Sequence, residues 1–117
     1  MGHLSTHVLD TANGQPAAGM RIDFSERRDG QYVLVKTLHT NADGRTDRPV
    51  LQDTDMRVGE FELSFHVADY FRRRGTVLTK PPFIDQIPVR FGIHDPGAHY
   101  HVPLLCTPWS YSTYRGS

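Results

Sequence analysis

The chain has 117 residues, with thirteen basic side chains balanced by thirteen acidic ones, seven histidines and one cysteine. That length suits one domain over residues 1–117 around one core, because two half-size domains would each bury too little surface. The charge balance argues against nucleic acid as a partner, and the lone Cys106 excludes an intramolecular disulfide framework or a cysteine-based zinc cluster.

Hydrophobic alternation with a period of two runs along most of the chain, interrupted by turn signals, which is the pattern of an all-β sandwich or barrel. Residues 3–10 form the first expected strand, ended by Asn13-Gly14 and Pro16. A strand over 20–26 has Met20, Ile22 and Phe24 on one face. It turns through Arg27-Arg28-Asp29-Gly30 into a strand over 32–40, where Val33 and Val35 alternate with Tyr32, Leu34 and Lys36. Asn41-Ala42-Asp43-Gly44 is a tight turn leading to a short polar strand over 45–48. A strand over 61–67 aligns Phe61, Leu63 and Phe65. Val67, Tyr70, Phe71 and Arg74 fall at helical spacing, and Gly75 is placed to end that helix after three arginines. Strands over 87–93, 100–106 and 110–115 complete about eight strands and one short helix, arranged as an antiparallel sandwich. No apolar run approaches the roughly 18 residues of a membrane span, and the first residues lack a signal-peptide core. Together with the absence of a closing Ser-Lys-Leu address, this predicts a cytoplasmic protein without a membrane partner.

Histidines are the first candidates for chemistry. His39, His66 and His94 sit at expected strand or turn ends, where surface roles are the norm. His3 and His7 share strand parity, as do His99 and His101, so two strands could present imidazoles to a common face. Three readings compete: a three-ligand zinc site activating water, a metal-free acid–base pair, and solvated surface. Arg45, after the Asp43-Gly44 turn, could bind an oxyanion at a sheet rim or be an ordinary turn arginine. The segment 111–117 alternates like a paired strand, with Ser112, Tyr114 and Gly116 on one face. No Gly-x-Ser-x-Gly elbow, phosphate-cradling glycine loop or His-Glu-x-x-His motif is present. Cys106 reads as a small packed thiol rather than a nucleophile.

Several segments carry a resemblance. Leu4-Ser5-Thr6-His7-Val8-Leu9-Asp10, Gly14-x-Pro16-Ala17 and Asn41-x-Asp43-Gly44-Arg45 resemble the transthyretin-related proteins. His99-Tyr100-His101-Val102-Pro103-Leu104-Leu105 and the closing Tyr114-Arg115-Gly116-Ser117 narrow the likeness to the 5-hydroxyisourate hydrolases of that family. The hormone carrier transthyretin has lysine, glutamate, threonine and threonine where this chain has His7, Arg45, His101 and Tyr114.

The resemblance implies an eight-stranded sandwich with a short helix, assembled as a homotetramer, a dimer of dimers. It implies a channel between dimers in which His7, Arg45 and His101 are catalytic. His7, Arg45, Ser112, Tyr114, Arg115 and Ser117 would contact the substrate, with His3 and His99 reduced to accessory or surface roles. The implied reaction is metal- and cofactor-free opening of the N1–C6 amide of 5-hydroxyisourate. Its product is 2-oxo-4-hydroxy-4-carboxy-5-ureidoimidazoline, on the route from urate toward allantoin. The competing expectation is a small-ligand carrier that uses the same channel without chemistry.

Overall fold

The computed structural model describes residues 1–117. Eleven strand segments follow in chain order: β1 (His3–Ser5), β2 (Val8–Asp10), β3 (Gln15–Pro16), β4 (Arg21–Arg28), β5 (Gln31–His39), β6 (Leu51–Gln52), β7 (Gly59–His66), β8 (Gln86–Ile93), β9 (His99–His101), β10 (Leu104–Cys106) and β11 (Tyr111–Thr113). The one helix, α1 (Val67–Arg73), joins β7 to β8.

One layer of the sandwich is the antiparallel sheet β5-β4-β7-β8. The other consists of two ladders, β6-β1-β9 and β3-β2-β10-β11. Chain continuity makes them one surface, because β1 leads into β2 and β9 into β10. The central pairs of this layer, β1 with β9 and β2 with β10, run parallel. The sandwich therefore departs from the expected antiparallel pattern at its centre, while its edges are antiparallel.

The strands expected over 3–10 and 100–106 are both present, each interrupted once. The polar strand expected over 45–48 is a loop in which Arg45 alone makes an isolated bridge, to His7. Two local features stop a ladder there. The Thr46 hydroxyl donates to the Arg48 carbonyl, and Pro49 has no N–H to offer.

Alternation on β4 and β7 builds the core. Ile22 and Phe24 meet Phe61, Leu63 and Phe65, all fully buried, with Phe24 and Phe61 stacked 5.5 Å apart. From the other layer Leu4, Val8, Tyr100, Leu104 and Cys106 point into the same cluster. Burying a side chain of this size is worth about 1.5–3 kcal/mol, so these residues dominate the sandwich energetically. β5 lies at the sheet edge, and Val33, Leu34 and Val35 are all largely exposed, opposite a register shift at Phe24 and Ser25.

Helix α1 closes one end with Val67, Tyr70 and Phe71 buried. Gly75 at φ +89° ends it as expected, in a conformation that a side chain disfavours. The Tyr70 hydroxyl donates to the buried Asp10 carboxylate at 2.8 Å, and Asn13 donates to it through both its backbone N–H and its side-chain amide. Burial, and then the Asp10 bond, push the Tyr70 phenol up to about 12. This satisfied polar knot pins the helix to β2.

Candidate active site

Strand parity sorts the residues of β1 and β2. Leu4, Thr6, Val8 and Asp10 are buried, while His3, Ser5, His7 and Leu9 stand on the outer face. The parallel register sets His3 opposite His99 and Ser5 opposite His101. All four histidines singled out from the sequence thus share one outer face. His3 and His99 are in ring contact, with centroids 3.9 Å apart.

Arg45 reaches this face through its turn. The Asn41 side-chain oxygen accepts hydrogen bonds from the N–H groups of Asp43 and Arg45, and the Asn41 N–H donates to the Arg45 carbonyl at 2.7 Å. The turn then docks into the gap between β3 and β6, where the Val8 N–H donates to the Gly44 carbonyl at 2.8 Å. Gly44 has φ +76°, and a Cβ there would lie 2.4 Å from the Val8 carbonyl oxygen, so only glycine fits this approach. The His7 Nε2 lies 2.8 Å from the Asp43 carbonyl oxygen. A carbonyl only accepts, so Nε2 carries the proton and Nδ1 is left as the free acceptor of His7.

His101 occupies the middle of the cluster. Its Nδ1 lies 2.9 Å from the Ser5 hydroxyl oxygen, and its backbone makes a two-way pair with Gly116. Burial, and then the positive surroundings of Arg45, His7 and His3, lower its pKa from the ordinary imidazole value. These surroundings favour the neutral ring, and Nε2 makes no hydrogen bond with the protein. Ser5 was not singled out from the sequence, although its parity with His7 was visible there.

Pro103 shapes the closing segment. β10 and β11 pair Leu105 with Ser112 and Leu104 with Thr113, and the same register continues to the bridge between His101 and Gly116. Tyr114 therefore faces Pro103, which has no N–H to donate, and the ladder lapses over Tyr114 and Arg115. The Pro103 carbonyl accepts instead from the Thr113 hydroxyl. This register puts Ser112 and Gly116 on the outer face with His101, while Tyr114 is exposed where the ladder has lapsed. Arg115 goes the other way: its guanidinium lies 4.3 Å from the Tyr100 ring centre and donates to the His99 carbonyl. It borders a cavity of about 330 Å³ between the layers, lined also by Tyr114, Val89, Phe91 and Val102. Ser117 is exposed, next to Gly116.

None of the three cavities is lined by His7, Arg45 or His101, which stand on an open face. Nowhere do three His, Cys, Asp or Glu side chains gather closely enough to hold a metal ion. Cys106 is fully buried with its thiol pushed up to about 12, mainly by burial, which fits the packed role expected of it. No helix is long and apolar enough to cross a membrane.

A β-sandwich with imidazoles and a guanidinium on the outer face of one layer defines a class, and comparison with known proteins agrees. Residues 4–116 match the HIUase/Transthyretin family, and the chain belongs to it. It is 52% identical over 117 residues to a 5-hydroxyisourate hydrolase of Pseudomonas aeruginosa, covering 100% of this chain and 93% of that one. Among solved structures, the 5-hydroxyisourate hydrolase of Klebsiella pneumoniae superposes with a TM-score of 0.79 at 32% identity, each chain fully covered. An (S)-allantoin synthase superposes with a TM-score of 0.93 at 48% identity over 99% of this chain. This chain spans only 44% of that protein's length.

Proposed function

We propose that this protein hydrolyses 5-hydroxyisourate, opening the N1–C6 amide of its six-membered ring. The observation that carries the reading is the convergence of His7, Arg45 and His101 on one outer face of the sandwich. Relatives of about half identity that bear the hydrolase name support it.

Water is deprotonated by Nε2 of His101 as its oxygen bonds to C6. The C6 oxygen gains negative charge and is met by the Arg45 guanidinium. Collapse breaks the C6–N1 bond, and N1 takes the proton back from the His101 imidazolium, leaving a carboxylic acid that ionises. His7, with Nδ1 free, accepts a hydrogen bond from the attacking water or from a ring N–H. Tyr114, Ser112 and Ser117 orient the polar ring from β11 and its extension, while Arg115 braces the His99 carbonyl from behind. Acid–base catalysis supplies about 10²–10⁴-fold, and orientation adds to it.

The open face fits assembly as a homotetramer in which a second copy roofs the histidines and excludes water. Leu9 and Leu105 stand partly exposed on that face, whereas Pro103 is already buried within one copy. Light scattering is expected to give four copies, and a stable monomer at micromolar concentration would overturn the assembly. The carrier alternative calls for an apolar channel, whereas this face presents imidazoles, a guanidinium and hydroxyls. The same reading places the reaction in the cytoplasm, which cell fractionation checks. The deciding experiment adds freshly generated 5-hydroxyisourate and follows its ultraviolet decay. Decay no faster with protein than without it would reject the hydrolase.

A further inference from the structure

We infer that Ser5 is a positioning residue for His101, holding its imidazole in the Nδ1–H tautomer so that Nε2 is the free base; this rests on the hydrolase reading above. Ser5 sits on the outer face of β1, in direct register with His101 across the parallel β1–β9 pair, and its Oγ lies 2.9 Å from Nδ1. The hydroxyl makes no other hydrogen bond with the protein. Its neighbour Thr6 contrasts with it. That hydroxyl is buried and donates to the Val102 carbonyl at 2.7 Å, so it serves the packing of the two strands.

The far side of the imidazole is also walled. A Cβ built on Gly116 would meet His101 Cβ, Cγ and Cδ2 at 3.2–3.6 Å, so the backbone there lies against the ring. His101 is thus gripped between Ser5 and Gly116, with Nε2 the one polar atom left for substrate. Three cationic or titratable groups face it: His3 and His7 from the first strand pair and Arg45 from the docked turn. A carboxylate at Nδ1 would favour a permanent imidazolium in such a pair. A hydroxyl can donate to a bare Nδ1 or accept from Nδ1–H; accepting, the role assigned to Ser5 here, adds no charge, so the ring stays neutral until it takes the water proton and the same bond then stabilises the imidazolium.

Removing the acceptor has two consequences with defined signs. The imidazolium gains more from the Nδ1–H bond to Ser5 than the neutral ring does, so its loss lowers the His101 pKa further. The acid limb of the kcat/KM profile then moves to lower pH. A mixed tautomer population and a less firmly held ring lower kcat by up to about tenfold, with KM within about twofold.

The test compares the full-length wild type with Ser5→Ala and Ser5→Thr by steady-state kinetics across pH and by nitrogen-15 NMR of the His101 ring. Wild type should show Nδ1–H, Ser5→Ala should show the mixed or Nε2–H form with reduced kcat, and Ser5→Thr should restore both. An unchanged tautomer and acid limb in a folded Ser5→Ala protein would overturn the inference, as would a Ser5→Thr protein that behaves like Ser5→Ala. If wild type fails to accelerate substrate decay, the hydrolase reading falls, and the NMR comparison still decides whether Ser5 sets the tautomer.

Discussion

His101 and Gly116 exchange both backbone hydrogen bonds, at 3.1 and 2.7 Å, across an isolated bridge beyond the end of β11. The bridge holds the closing segment against the candidate base. A methyl on Gly116 would lie 3.2 Å from the His101 Cβ, close enough to push the ring aside. Gly116→Ala is expected to leave the sandwich folded and to cut kcat by about tenfold to a hundredfold, the scale of a small misplacement of a catalytic group. A variant with wild-type kcat would show that the ring tolerates the shift.

His101→Asn removes the acid–base group while keeping a polar side chain of similar reach. Turnover should fall by about two orders of magnitude or more, with the circular dichroism spectrum unchanged. Exhaustive chelation of the wild type should leave the rate as it was. A rate abolished by chelator and restored by zinc would replace the imidazole mechanism with a metal one.

Truncation before Tyr114 separates a frayed tail from a working strand end. The core lies in earlier strands, so the shortened chain should still fold. Its activity should collapse, because the Tyr114 hydroxyl, the Arg115 brace and the Gly116 wall all disappear. Tyr114→Thr keeps a hydroxyl on a shorter side chain and should weaken kcat/KM while admitting bulkier aromatic ligands. Full activity in a folded truncation would remove the segment from the site.

Gly44→Ala tests how Arg45 is delivered. The new methyl would strike the Val8 carbonyl in a left-handed backbone conformation that costs alanine about 1–2 kcal/mol before the clash is counted. The turn must lift, carrying Arg45 away from His7. We expect a lower melting temperature together with lost turnover, while Arg45→Ala should lose turnover with little change in melting.

Activity and stability should share an acid limit set by His101. Its folded pKa lies below the ordinary imidazole value, so as pH falls past that value the unfolded chain binds a proton that the folded ring resists. This contribution to stability is therefore fully present above the ordinary imidazole pKa and is lost as pH falls through the lowered one. Melting curves from pH 8 down to about pH 5.5, above the range in which the lowered Glu26 carboxyl adds a slope of its own, should show this slope, and it should vanish in His101→Asn. A slope of equal size in that variant would assign it to another group.

Much of this protein was legible in its residues alone. Period-two alternation marked Ile22 and Phe24, and Phe61, Leu63 and Phe65, as inward faces, and burial bears out each one. Helical spacing and Gly75 located α1. Parity aligned His3 with His7 and His99 with His101, because the alternation of a strand is a local property of its backbone. Parity says which face a side chain takes but is silent about which strand lies beside it. The parallel pairing of β1 with β9 joins residues 96 positions apart, as the Ser5–His101 bond records, and only tertiary packing brings them together. The Gly44 turn fills a gap between β3 and β6 that exists only once both edges have formed. Arg115 turns onto Tyr100 because Pro103, across the sheet, lacks the N–H that would have kept the ladder regular. Local chemistry chose the faces and the turns, and long-range strand pairing decided which of those faces became a site.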